Sequence, residues 1–199
     1  MLSQILISSL QLLSTFYLTL VLLRFLLQLA RADFFNPITQ FVVKATNPPL
    51  RPLRRIIPGI GGVDGASLVL AVLIQGIVYT LILLAGNAGA TLAQSPLQAA
   101  VTVLAWSGVT VLSLIVKIYF WSILAVIIIS WVAPASHHPA IQLLIQLTEP
   151  IMRPFRNLLP PMGGLDLSPI LVFLVLNVVN IVIAHLGQAV GLGHLGLLL

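Results

Sequence analysis

Four long apolar runs, separated by short polar passages, set the plan of this chain. They cover residues 2–30, 67–86, 97–132 and 169–190. Runs of this length with almost no charge read as transmembrane helices. At 1.5 Å per residue the first makes a helix of about 43 Å, longer than the ~30 Å hydrocarbon core, so it tilts or projects. The second is about 30 Å long. The third, about 54 Å, is too long for one simple span, so its first turns (97–105) either lie in the interface or protrude. Trp106 and Trp131 bracket about 37 Å of it, as aromatic belts at two membrane surfaces would. Arg24, near the far end of the first run, is expected to snorkel to the headgroups.

The passages between the runs carry their own pattern. Asn36-Pro37 is a helix start, a cap followed by proline at the first helical position. Ile38, Phe41, Val42 and Ala45 then recur at helical spacing, with Thr39, Gln40 and Lys44 between them. Residues 37–46 are too few to span a bilayer, and read as a short amphipathic helix in the interface. Asn47-Pro48-Pro49 is expected to stop it. His138-Pro139 to Thr148 repeats this segment, with Glu149-Pro150 as the stop. A basic loop rich in Pro and Gly follows each, over 51–64 and 153–169. Residues 86–95 form an uncharged turn, and the glycine-rich tail from Gly191 is assigned no structure.

These passages are copies of each other. Between 37–64 and 139–166, at a constant offset of 102, 11 of 28 positions are identical. They include Arg51/Arg153, Pro52/Pro154, Arg54/Arg156, Gly61/Gly163, Gly62/Gly164 and Asp64/Asp166. The chain therefore divides into two repeats, 1–95 and 96–199. Two spans per repeat is an even number, so both repeats insert in the same orientation and both loops share one side. The expected fold class is an all-α membrane protein: four transmembrane helices in two parallel two-helix repeats, each with a short interfacial helix and a basic Pro/Gly loop.

Composition agrees and narrows the function classes. Of 199 residues, 59% are hydrophobic and 7% charged, with mean hydropathy +1.14; soluble domains carry about 25% charged residues. The N-terminal run is too long for the apolar region of a signal peptide and has no basic stretch before it, so it reads as a retained anchor. The net charge of +5 does not point to nucleic acid, because the few Lys and Arg sit in loops beside spans, where anionic phospholipid is the nearer partner. The absence of cysteine excludes disulfides and thiolate metal sites. Seven of nine Lys/Arg residues lie on the loop side. The positive-inside rule then makes both loops cytoplasmic and both termini periplasmic.

The two loop motifs, Pro-Leu-Arg-Pro-Leu-Arg-Arg-Ile-Ile-Pro-Gly-Ile-Gly-Gly-Val-Asp at 49–64 and Pro-Ile-Met-Arg-Pro-Phe-Arg-Asn-Leu-Leu-Pro-Pro-Met-Gly-Gly-Leu-Asp-Leu-Ser-Pro at 150–169, resemble those of the YggT family of bacterial and plastid membrane proteins. The first copy departs from the pattern at Gly65-Ala66-Ser67, where the second has Leu-Ser-Pro. The resemblance covers nearly the whole chain and implies a two-repeat protein of the bacterial inner membrane. It also implies an association with membrane-complex assembly, with division or nucleoid organisation, or with osmotic tolerance.

Three groups of residues are candidates for function. Arg51, Arg54, Arg55, Arg153 and Arg156 form rigid basic clusters suited to anionic lipid or to a partner's acidic groups. Asp64, Asp166 and Ser168 suit helix caps for the following spans, or Arg–Asp clamps; the two aspartates could also approach each other around a cation. Lys117 lies near mid-membrane, where a lysine costs roughly 2.5–3.5 kcal/mol on insertion scales. Gln75, Asn177, Asn180 and His185 are its nearest polar candidates, and would make one hydrated pocket between the repeats with Lys117 at its edge. Gly187 and Gly191 form a weak GxxxG. No zinc ligand set, Walker loop or nucleophile elbow is present. The expectation is a non-enzymatic scaffold or assembly factor without cofactor, engaging anionic phospholipid and a membrane or cytoplasmic protein, and compatible with homo-oligomers. The rival is a small transporter or channel built on Lys117.

Overall fold

Helices form wherever an apolar run or an amphipathic segment called for one. The computed structural model describes residues 2–57, 59, 62–85, 95–133, 136–158 and 166–192. The 86–94 turn, most of each Pro/Gly corner (58, 60, 61 and 159–165) and the tail from 193, with His194, lie outside them. Among the described residues there are six helices and no strands: α1 (Leu2–Leu29), α2 (Pro37–Ile56), α3 (Gly65–Ala85), α4 (Pro96–Val132), α5 (Pro139–Leu158) and α6 (Ser168–Ala189). Helices α1, α3, α4 and α6 are long and apolar enough to cross a membrane. This is a multi-pass membrane protein of the expected class. Large apolar side chains such as Leu12, Phe16, Ile77 and Leu174 stand exposed on the spans, an outer surface suited to lipid.

The spans pack in chain order, α1 on α3, α3 on α4, and α4 on α6. Helix α2 braces α1 and α3, α5 braces α4 and α6, and α2 also meets α5. One apolar cluster joins Leu18, Leu22, Leu50 and Leu70 of the first repeat with Val111 of α4. A second joins Phe25 and Leu26 of α1 to Ile123, Leu147, Met152 and Val172 of the second repeat. The end of α1 is thus built into both halves. Helix α4 is continuous over 37 residues, about 55 Å, so residues 97–105 continue the same helix as the third apolar run.

The amphipathic helices do not stop where the prolines suggested. Helix α2 continues through Pro48, Pro49 and Pro52 to Ile56, and α5 through Pro150 and Pro154 to Leu158. Arg51, Arg54, Arg55, Arg153 and Arg156 therefore sit on helices, not in loops. A proline inside a helix lacks an amide and leaves a carbonyl four residues back without its donor. Here that deficit falls away from the buried stripe of Thr39, Val42, Thr46 and Leu50, whose packing holds the helix together. One freed carbonyl, that of Ala45, accepts from the Tyr17 hydroxyl at 3.3 Å.

Helix α1 ends in a pair of reversed hydrogen bonds, Ala32 N–H to Leu27 O at 2.9 Å and Arg31 N–H to Gln28 O at 3.1 Å. This turn needs a left-handed residue, normally glycine. Arg31 fills it at φ 53, which costs a non-glycine residue about 1–2 kcal/mol.

Trp106 differs from its expected place in an aromatic belt. It is buried, packs edge-on against Tyr79 at 5.6 Å and donates its indole N–H to Val190 O at 2.7 Å. A polar handle lets a buried indole tie the end of α6 to α4. Trp131 is exposed.

Asn36 links the repeats. Its Oδ1 accepts from Ile38 N–H at 2.9 Å, capping α2, and its Nδ2 donates to Pro139 O at 2.8 Å, at the start of α5. Nearby, Asp33 N–H donates to Gln146 Oε1 at 2.9 Å. Replacing Asn36 by Ala removes cap and bridge and is expected to lower stability by about 1–2 kcal/mol. Asn36→Asp keeps the cap alone and should recover about half, read by thermal unfolding in detergent.

Candidate functional site

The polar side chains gather where each amphipathic helix hands over to the next span. In the first repeat Asp64 precedes α3 and is only 3% exposed. Its Oδ2 takes the Arg54 guanidinium and the Ser67 hydroxyl, the latter at 2.6 Å. Burial opposes ionisation of Asp64, but the bonds from Arg54 and Ser67 prevail and hold its pKa below the ordinary 3.8. In the second repeat Arg156 donates to Asp166 Oδ2 at 3.1 Å and to Glu149 Oε2 at 2.7 Å. Asp166 Oδ1 accepts the Ser168 amide at 2.9 Å, capping α6. Burial again works against the charge, and Ser168 and Arg156 again lower the pKa. Cap and clamp, posed as alternatives, coexist. Each aspartate is paired inside its own repeat rather than with its twin. The Ser168 hydroxyl is buried without a partner among the described residues.

With Arg54 and Arg156 engaged in these pairs, Lys44, Arg51, Arg55 and Arg153 form the exposed basic surface of α2 and α5.

Arg24 does not snorkel. It is 6% exposed and turns onto α2, where its NH1 group donates to Val43 O at 3.1 Å, Thr46 Oγ1 at 2.9 Å and Asn47 Oδ1 at 2.8 Å. Sequence reasoning passed over it as a functional residue. The signal was its position: Arg24 and Arg31 stand where the second repeat has Val126 and Ala133.

The intramembrane polar residues are split. Lys117 shares a cavity of about 180 Å³ with Asn177 and Asn180. Gln75 does not line it; it is buried on α3, and its Oε1 has no partner among the described residues. Equivalent positions in two repeats share a depth but face different neighbours, so the single pocket expected from the sequence is not formed. His138 Nδ1 accepts the Ala140 amide at 3.2 Å, the place Asn36 takes in the first repeat. Gly191, at φ 78, ends α6, so half of the GxxxG is a helix terminator. Among the described residues no cluster of three His, Cys, Asp or Glu could hold a metal.

The family model described as CCB3/YggT matches residues 3–85 and 105–187. The chain belongs to the CCB3/YggT family. The two matches are offset by the same 102 residues as the internal repeat. An uncharacterised protein of Pseudomonas aeruginosa is 49% identical over 178 residues, 88% of this chain and 86% of that one. The uncharacterised protein YggT of Escherichia coli K12 is 38% identical over 179 residues, 88% and 87%. YlmG homolog protein 2, chloroplastic, of Arabidopsis thaliana is 41% identical over 61 residues, 31% of this chain and 24% of that one. No solved structure matches.

The two clamps differ in burial, and this separates them experimentally. Asp64→Asn removes the buried carboxylate that accepts from the half-exposed Arg54 and from Ser67, and is expected to cost about 2–3 kcal/mol. Asp166→Asn, at an exposed pair, should cost about 1 kcal/mol or less. Because both folded pKa values are depressed, the contribution is complete above pH 3.8 and is lost as pH falls through the folded value. Thermal unfolding across acidic pH should show this loss in the wild type and much less of it in the double variant.

Proposed function

We propose that the protein is a non-enzymatic scaffold or assembly factor of the bacterial inner membrane, with α2 and α5 on the cytoplasmic side and both termini periplasmic. The observation that carries this reading is the division of labour among the arginines. One of each set holds the fold, while Arg51, Arg55 and Arg153 project from two neighbouring amphipathic helices that the Asn36 bond links across the repeats. A rigid basic platform at a membrane surface suits anionic headgroups together with a partner's acidic groups. Family membership supports a membrane role, and its associations with complex assembly and osmotic tolerance fit a platform that recruits.

A small transporter is the second reading, favoured by Lys117 facing Asn177 and Asn180 around one cavity. A lysine there needs polar company to offset its burial.

Charge reversal tells the two apart. Arg51→Glu, Arg55→Glu and Arg153→Glu together should reduce in-cell crosslinking from a cysteine at 158 to a cytoplasmic protein by roughly tenfold or more, about 1.4 kcal/mol. Lys117→Leu should leave it unchanged. If Lys117→Leu abolishes complementation while the triple variant restores it, the scaffold reading fails.

A further inference from the structure

A cavity of about 410 Å³ opens beneath the end of α1, where α1, α2 and Arg54 meet. It lies within the size range of small-molecule sites, ~300–1,000 Å³. Three guanidiniums line it, from Arg24, Arg31 and Arg54, with Gln28, Thr39 and the ring of Phe34. Asp64 neutralises Arg54, so Arg24 and Arg31 leave a surplus of positive charge. Arg24 is almost fully buried, and its hydrogen bonds within the described residues all run through NH1. Thr39 is 5% exposed, and its hydroxyl has no partner among the described residues. Thr39 lines this basic cavity, and a buried hydroxyl without a partner is a donor that lacks its acceptor. Arg31 adds an independent argument. It occupies a left-handed position that glycine fills more easily, so its side chain has a use there that its backbone does not.

The second repeat serves as an internal comparison. Arg24, Gln28, Arg31 and Thr39 correspond to Val126, Ser130, Ala133 and Ile141. The cavity at the matching place, lined by Val126, Ser130, Ala133 and Ile141, has shrunk to about 140 Å³ and is lined by no cation. The feature belongs to one half and does not follow from the fold.

We infer that the first-repeat cavity binds a phosphate group, carried by an anionic phospholipid whose headgroup enters beside Arg24, Arg31 and Thr39. Guanidiniums recognise phosphate oxygens in pairs, the hydroxyl supplies a further donor, and Phe34 at the rim meets the apolar part of the lipid. The proposal needs only the chain's place in a membrane. It is independent of the exposed docking surface.

The test uses the full-length protein in phosphatidylcholine nanodiscs doped with phosphatidylglycerol, with bound lipid read by native mass spectrometry. Inorganic phosphate, added separately, is the second probe. Arg31→Gly suits the left-handed turn and should melt no lower than the wild type, yet retain phosphatidylglycerol roughly tenfold less. Thr39→Val, near-isosteric, should lower retention in the same direction. Retention equal to wild type in both variants, with no change toward inorganic phosphate, overturns the assignment. Phosphate that displaces the lipid at equal concentration assigns the same site to a soluble phosphate. Crosslinking from position 158 should be untouched by either variant.

Discussion

An arginine on each amphipathic helix holds an aspartate at the head of the next span, and the turn into that span depends on the pair. The contact does two things at once. It fixes the C-terminal half of α2 or α5 against the start of α3 or α6, and it places a carboxylate where the helix dipole favours negative charge. A proline-punctuated helix would otherwise have little reason to remain helical to its end. Without the pair, Ile56 and Leu158 would be ordinary fraying termini.

The two repeats use the same pair in different surroundings. The first has buried its aspartate and surrounded it with further polar side chains, Ser67, Gln28 and Arg24 among them. The second leaves Asp166 in the open and shares Arg156 with Glu149. A duplicated unit keeps the contact that builds the fold, while its neighbours are free to diverge. In the first repeat that divergence buried one cation, Arg24, which a membrane protein tolerates because Val43, Thr46 and Asn47 supply its acceptors.

Much of this was legible in the chain. The spans follow from run length, and the repeat from identities at one offset. The Asp166 cap was readable because it is local, a carboxylate two residues from its amide. What failed was non-local. Pro48 and Pro49 look like stops when the helix is considered alone, because the packing of Val42 and Leu50 and the Tyr17 hydroxyl lie outside that window. Depth along α1 says how far Arg24 is from a surface, but not that Thr46 and Asn47 stand beside it. Repeat equivalence put Gln75 and Asn177 at one level without saying which helix each would face.

The packing of the spans in chain order bears on how the protein is made. Helices α1, α2 and α3 contact one another before any residue beyond 85 is needed, and the Arg54–Asp64 pair closes within that piece. The first repeat can therefore consolidate as a hairpin while the ribosome is still adding the second. The long helix α4 then enters against a finished surface of α3, with Val111 meeting Leu70 and Ala71. Such an order asks for no late threading of one span between others. It also makes the N-terminal unit the template on which its own copy is laid down.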